Sequence, residues 1–432
     1  MKEEINKPSY IIADDFTGAN DIGVALASSG VATKVLLAAA NTERTSSHVG
    51  VICTDSRDLE IADAKSALKL VSQSYQLAQQ QPLLIKKVDS TLRGNIGSEI
   101  EALLEAGYKL AIVAIAAPFS KRKTINGICY INDIPLAETE FASDPKSPIH
   151  SSRVECIIKS QTTCETAEYL YPKQKNSSHI QNFVQFYEAG TEIIVCDTQS
   201  HDDLYSLYSA ASQLNVPVVF VTTGELTHAL VNKKLNLELP IETTDSPVLA
   251  IIGSMSAMTL KQSQYLIDNE IAKVVDLELN ELLSENYKAY LENIAFKAAA
   301  ILRAGDNCVV RSCKSIELRH ELKAIAAKND LSQKQLAEHV RECLAELAYQ
   351  IIASDHQQLG GMILCGGDIA IATARQLNAS SYQIGGMVAD CVPWGLLDSE
   401  LTPFPIFTKA GGFGNPATFS QVIQQLHKEV RQ

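Results

Sequence analysis

SYIIADDFTGAND, residues 9–21, runs from an apolar segment through a pair of acids into a helical pattern. Ser9–Ala13 has the length and composition of a buried strand, and apolar side chains recur at helical spacing from Thr17 to Ser29. Strand, tight turn and helix in succession make the first half of a β-α-β unit. The same rhythm continues outward from this point. It predicts strands at Thr33–Ala38, Val49–Thr54, Leu83–Val88 and Leu110–Ala116, and helices at Ile61–Gln79 and Ile96–Ala106. Glu192–Cys196 and Val216–Val221 read as strands around a helix that begins near His201, and Lys173–His179 reads as a polar loop. After Leu237–Pro247, a linker with two prolines, the pattern restarts. Strands are predicted there at Val248–Ile252, Ile271–Val275, Cys308–Arg311 and Met362–Cys365, with helices at Asn286–Arg303 and Leu331–Ile352. The expected fold class is α/β: two α/β domains, residues 1–240 and 241–432, with largely parallel sheets and a ligand cleft between them.

Composition narrows the function. With 46% hydrophobic and 20% charged residues in 432, the chain can bury a large core, which excludes a disordered protein. The balance of 37 Lys and Arg against 50 Asp and Glu gives a net charge of −13. Sequence-independent nucleic-acid binding needs the opposite surplus, and a small anionic ligand would need a local basic cluster. The longest apolar stretch, Leu110–Phe119, is far short of the ~20 residues of a membrane span. The amino terminus, MKEEINKPSY, is charged and lacks the apolar segment of a signal peptide. The ten cysteines form no CxxC pair. These features point to a cytoplasmic enzyme with reduced thiols, no dedicated metal site, and no nucleic-acid or membrane partner.

Ligands of α/β sheets bind beyond the carboxyl ends of the strands. Asp14 and Asp15 follow the first strand, where they can accept a hydroxyl proton or hold substrate hydroxyls. The structural alternative is helix capping by Asp15 or Thr17. Asp55, Ser56 and Arg57 follow another strand, and Asp89, Ser90, Thr91 and Arg93 a third, with Lys86 and Lys87 just before them. Adjacent strand lysines face opposite sides, and a buried one needs a partner. Together with Arg57 and Arg93 they form a local basic cluster suited to a carboxylate, unless they pair internally with Asp55 and Asp89. Lys121, Arg122 and Lys123 either extend the cluster or form a solvated loop. In the second half, Gly253-Ser254-Met255-Ser256, Gly366-Gly367-Asp368 and Lys409–Asn415 (KAGGFGN) are three small-residue loops of the kind that admits phosphate to backbone N–H groups. GxxxxGK[ST] is absent, and no GxGxxG follows the first strand.

Taken together, these segments resemble the four-carbon acid sugar kinase family over nearly the whole chain. The resemblance rests on IADDFTGANDIG (12–23), TDSR (54–57), KKVDSTLRGNIGSEIEAL (86–103), PLAETEFASDPKSPIHSS (135–152), IGSMS (252–256), CGGDIA (365–370) and KAGGFGN (409–415). It implies a sugar-acid domain followed by a nucleotide domain, with ATP and Mg²⁺ phosphorylating the terminal hydroxyl of a four-carbon aldonate. KKVDSTLRGN is similar to the D-threonate and D-erythronate branch rather than the 3-oxo-tetronate branch, and D-threonate is the expected substrate. Among site residues the resemblance implies Asp14 and Asp15 as catalytic and substrate-binding. It adds Arg57, Lys87, Val88, Asp89, Ser90 and Arg93 for the sugar acid. For ATP it implies Ser254, Ser256, Gly366, Gly367, Asp368, Gly411, Gly412 and Gly414. A departure is Ala117–Thr124 (APFSKRKT), where relatives tend to carry a Pro and a Gly-Arg-Thr-Thr stretch, whose places the resemblance gives to Arg122 and Thr124. D-erythronate or 3-oxo-tetronate as substrate, a sugar-acid sensor, a homodimer, and either aspartate as the base stay open at this point.

Overall fold

The computed structural model describes residues 9–37, 49–144, 147–170, 178–230, 241, 243–355, 359–389 and 392–427. Ala38, residues 173–177, and five residues of the predicted linker (237–240 and 242) lie outside them. The chain divides into two compact units, one holding the described residues up to Leu230 and the other those from Ile241 onward.

The first unit contains strands β1 (Ser9–Ala13), β2 (Thr33–Leu37), β3 (Val49–Cys53), β4 (Leu83–Lys87), β5 (Leu110–Ala114), β6 (Arg122–Ile125), β7 (Ile128–Ile131), β8 (Ile134–Pro135), β9 (Thr166–Tyr169), β10 (Ile193–Cys196) and β11 (Val218–Thr222). Its helices are α1 (Phe16–Ala27), α2 (Ile61–Tyr75), α3 (Leu77–Gln80), α4 (Ile96–Glu105), α5 (Val154–Lys159), α6 (His179–Glu188), α7 (His201–Ala211) and α8 (Leu226–Leu230). Eight strands form one sheet in the order β2-β3-β1-β4-β11-β5-β10-β9, every neighbour parallel. Parallel strands need helical crossovers, so helices cover both faces and central strands become continuous apolar runs. LAIVA in β5 and VVFVT in β11 are buried throughout. On one face α2 contributes Ala64, Leu68, Val71 and Tyr75, and α4 contributes Ile96, Ile100 and Leu103, both at helical spacing. The helix predicted over Ile61–Gln79 is broken at Gln76, which takes left-handed backbone (φ 50°) and separates α2 from α3. From β1 the chain winds outward to β2 and β3, then crosses back to β4 on the other side of β1. The carboxyl ends of β3, β1 and β4 therefore meet where the winding reverses, the position at which such sheets bind ligands.

An antiparallel insertion, β6-β7-β8, lies outside this sheet. Its turns are the two-residue pairs Asn126-Gly127 (φ 51° and 76°) and Asn132-Asp133 (φ 50° and 66°), the left-handed geometry that matches strand twist in tight hairpins.

The second unit contains β12 (Val248–Ile252), β13 (Lys273–Asp276), β14 (Cys308–Arg311), β15 (Gly361–Cys365), β16 (Ser381–Ala389), β17 (Val392–Leu397) and β18 (Ile406–Lys409). Its helices are α9 (Ala257–Asp268), α10 (Leu279–Leu282), α11 (Tyr287–Arg303), α12 (Ile316–Lys328), α13 (Gln333–Asp355), α14 (Gly367–Gln376) and α15 (Thr418–Leu426). The order β13-β14-β12-β15-β18 is parallel, and β17 and β16 continue it antiparallel. Here the winding reverses at β12. All nine described cysteines are free, and no helix among the described residues is long and apolar enough to cross a membrane.

Candidate functional site

At the reversal point of the first unit, Asp14 and Asp15 leave β1 side by side. Arg57, beyond the end of β3, reaches both. Its Nε donates to Asp14 Oδ2 (2.8 Å) and its Nη2 to Asp14 Oδ1 (3.0 Å). Nη1 and Nη2 donate to Asp15 Oδ2 (2.9 Å) and Oδ1 (2.6 Å). The guanidinium thus spends four of its five N–H donors on these two carboxylates. Asp15 also caps α1, accepting from Gly18 N at 3.0 Å, so capping and site roles coincide in one residue.

The two acids are driven apart. Burial pushes the Asp14 carboxyl up, but Arg57, Lys86 and Lys87 outweigh it and hold it below the ordinary carboxylate range. Burial raises the Asp15 carboxyl, and Arg57 and Lys87 do not fully offset this against the repulsion of Asp14 and Asp89. The Asp14 side chain is 2% exposed and that of Asp15 20%. Asp14 is a fixed, ionised anchor, whereas Asp15 can meet a ligand.

Lys87 ends β4 with its ammonium 3.8 Å from Asp15 Oδ1, an ion pair without a hydrogen bond among the described residues. It reaches there over Gly18, where a Cβ would stand 1.9 Å from Nζ. Lys86, on the opposite face, is wholly buried against Glu99 of α4 at 2.8 Å, and Ser56 Oγ donates to the same carboxylate. It is an internal pair, so Lys86 is not part of an anion-binding cluster. Glu99 was not foreseen, although a lysine inside an apolar strand calls for a buried acid on the helix packed over it. Arg93 is also engaged, by Asp89 (2.6 Å) and Asp144 (3.1 Å), and lies over the Phe141 ring. Of the pairing partners expected from sequence, Asp55 and Asp89, Asp89 takes that role in an ion pair with Arg93. Burial would raise the Asp89 carboxyl, but Arg57, Arg93 and Thr91 hold it far below the usual range. Val88 turns its side chain into the core and its N–H to Thr222 O (2.9 Å). Ser90 faces the β6 insertion, where its Oγ accepts from Arg122 Nη1. Lys123 pairs with Asp133.

In the second unit, the three small-residue loops converge on one edge of the sheet because β12, β15 and β18 are neighbours there. Ser256 caps α9, its Oγ accepting from Thr259 N (3.2 Å) and donating to Gly411 O (2.6 Å). Thr259 Oγ1 donates to Gly411 O as well (2.7 Å), and Ser254 Oγ accepts from Ser256 N (3.3 Å). A Cβ on Gly411 would lie 2.2 Å from Ser254 Oγ, so the two loops touch only through a glycine. Gly366 (φ 121°) opens α14, with its N–H on Lys409 O (2.9 Å). Gly367 and Asp368 form the first turn of that helix. The Lys409 ammonium folds back onto Ala410 O and Gly411 O, both at 2.9 Å, and orders the third loop. Buried Gln262 holds Phe413 O and Asn415 O around Gly414 (φ 87°). Gly412 has open space where a side chain would stand. The helix starts of α9 and α14 share this edge, an arrangement able to receive phosphate oxygens.

Comparison with known proteins agrees with this division. A sugar-binding N-terminal domain model matches residues 9–230, and a nucleotide-binding C-terminal domain model matches residues 249–419. The chain is 35% identical to the D-threonate kinase of Salmonella typhimurium, over 97% of this chain and 98% of that one. It is 29% identical to the D-erythronate kinase of Heliobacterium modesticaldum, over 97% of each. A solved structure of a Salmonella typhimurium LT2 protein shares the fold at TM-score 0.78 and 20% identity, covering 97% of this chain and 100% of the other. Matched in both modules, and over 97% of its length by a D-threonate kinase, the chain belongs to the four-carbon acid sugar kinase family and is an ATP-dependent kinase.

Proposed function

We propose that the protein transfers the terminal phosphoryl group of ATP to the 4-hydroxyl of D-threonate, giving 4-phospho-D-threonate. The observation that carries this is Asp15, a partly exposed carboxylate held by Arg57 and Lys87 where the winding of the sugar-binding unit reverses. The 35% identity to a D-threonate kinase supports the choice of acid, as does the KKVDSTLRGN segment at 86–95.

Phosphoryl transfer asks little covalent chemistry of a protein and much positioning. In this proposal Asp15 accepts the proton of the attacking hydroxyl, and its raised proton affinity suits a base better than Asp14 would. Asp14 fixes Arg57, and Arg57 in turn orients Asp15. Lys87 faces the developing charge on the substrate side. The loops at Ser254–Ser256, Gly366–Asp368 and Gly411–Gly414 would hold the ATP phosphates, and a Mg²⁺ bound with ATP would supply neutralisation of the phosphate charge.

A coupled ADP-release assay over D-threonate, D-erythronate and 3-oxo-tetronate tests this. D-threonate should give the highest kcat/KM and 3-oxo-tetronate the lowest. Inverting one hydroxyl leaves a buried partner unpaired, which discriminates strongly. A preference for 3-oxo-tetronate, or no turnover with any of the three, overturns the proposal. The D-erythronate kinase relative makes that acid the second reading, and the same assay separates the two.

A further inference from the structure

In the first unit, cations near the strand ends are matched to carboxylates: Arg57 to Asp14 and Asp15, Lys86 to Glu99, and Arg93 to Asp89 and Asp144. Arg122 differs. It is half-buried, its Nη1 donates to Ser90 Oγ, and its Nε is buried with no hydrogen-bond partner. Among the described residues no carboxylate forms an ion pair with it. Its backbone is fixed, because its N–H and C=O both bond to Ala117 at 3.0 Å in an antiparallel bridge just past the end of β5. The guanidinium is therefore held at the carboxyl edge of the sheet, against the residue that lies three positions after Lys87.

A guanidinium drawn out of water with an unsatisfied N–H is costly unless an anion completes it. Its planar fork fits a carboxylate, and Arg57 has already committed most of its donors to Asp14 and Asp15. The Ser90 hydroxyl accepts from Arg122 and still has its own hydrogen to donate. Resting on the assignment of the first unit to a sugar acid, we infer that Arg122, with Ser90, binds the substrate carboxylate, and that Arg57 does not. The acid then lies with its carboxylate toward Arg122 and its terminal hydroxyl toward Asp15. Arg122 thus selects an acid over the neutral polyol or amide of the same length.

The test compares wild type, Arg122→Gln and Arg122→Lys on D-threonate and on D-threonamide, which keeps every hydroxyl but carries no charge. Wild type should favour the acid. Arg122→Gln should raise the KM for D-threonate about 10- to 100-fold with kcat nearly kept, leave D-threonamide unchanged, and so abolish the preference. Arg122→Lys should retain part of it, and ATP affinity should not move in either variant. Equal losses on acid and amide, the mark of a purely structural residue, or an unchanged KM for D-threonate would overturn the inference. A wild-type enzyme that turns over no aldonate overturns the substrate proposal instead. Calorimetric titration with D-threonate then decides about Arg122. Binding heat lost in Arg122→Gln upholds the inference, and heat equal in both proteins or absent from both overturns it.

Discussion

Replacing Lys86 by Met would leave Glu99 wholly buried, with the Ser56 hydroxyl still donating to it. Breaking a buried ion pair from one side costs about 3–5 kcal/mol, because the remaining charge is uncompensated. Glu99 can escape part of that cost by taking up a proton. Burial already raises its carboxyl above the ordinary range, with Lys86 opposing, and loss of Lys86 removes the opposition. In the variant the folded pKa would then exceed the unfolded value of about 4.3, so the contribution to stability is full below that value and declines as pH rises towards the folded pKa. Between the two pKa values the decline is at most about 1.4 kcal/mol per pH unit. Lys86→Met should therefore cost about 3–5 kcal/mol at pH 8 and less at pH 6. The double variant Lys86→Met/Glu99→Gln should lose this pH dependence. Urea unfolding followed by far-ultraviolet circular dichroism at pH 6, 7 and 8 measures it, and Trp394 of β17, the chain's single tryptophan, reports separately on the second unit. A penalty equal at pH 6 and pH 8, or a pH dependence that survives in the double variant, would refute the reasoning.

Asp15→Asn should reduce kcat by about 10²–10⁴-fold with little change in either ligand's binding constant, and should remove the acid limb of the rate profile. In wild type that limb should lie above the ordinary aspartate value of 3.8, since the carboxyl is raised; stopped-flow turnover from pH 4.5 to 8 reads both. Gly18→Ala would set a Cβ 1.9 Å from Lys87 Nζ and 2.5 Å from Asp15 Oδ1. The ammonium is buried and has little room to yield, so stability should fall by about 1–3 kcal/mol and the sugar-acid KM should rise while ATP binding holds, by urea titration and calorimetry. Gly411→Ala would set a Cβ 2.2 Å from Ser254 Oγ and push two loops of the second unit apart. ATP affinity should drop about tenfold while D-threonate affinity is unchanged, and calorimetry with each ligand checks it.

Alternation of apolar runs and helical patterns was enough to place β1, β12 and β14 at their observed limits and to give the parallel character of both sheets, because a strand covered on both faces must be apolar throughout. The strand-end acids were legible for a related reason, since polar residues right after such strands have nowhere to go but the sheet's edge. Pairing was not legible. Arg57 as the shared partner of Asp14 and Asp15, and Glu99 as that of Lys86, depend on which strands become neighbours, and register carries no local signature. The hairpins of β6-β7-β8 were missed although Asn126-Gly127 between apolar residues is the sequence signal for one. Arg122 read as part of a charged run because nothing in Lys121–Lys123 shows that the middle residue turns inward.

β11 lies between β4 and β5 in the finished sheet, yet it is the last of the three to be synthesised, more than a hundred residues after β5. Any sheet formed before Val218–Thr222 leaves the ribosome would be two half-sheets, each with an open edge facing the missing strand. One edge is the apolar segment LAIVA, and the other carries Lys86 and Lys87. Exposed apolar edges invite pairing with other chains, and charged ones discourage it. The nascent chain is thus vulnerable mainly along β5, and a truncation that ends before Val218 keeps both edges open for good. The lysines of β4 would make that edge the less prone of the two to such pairing, and of the two only Lys87 then goes on to face the site.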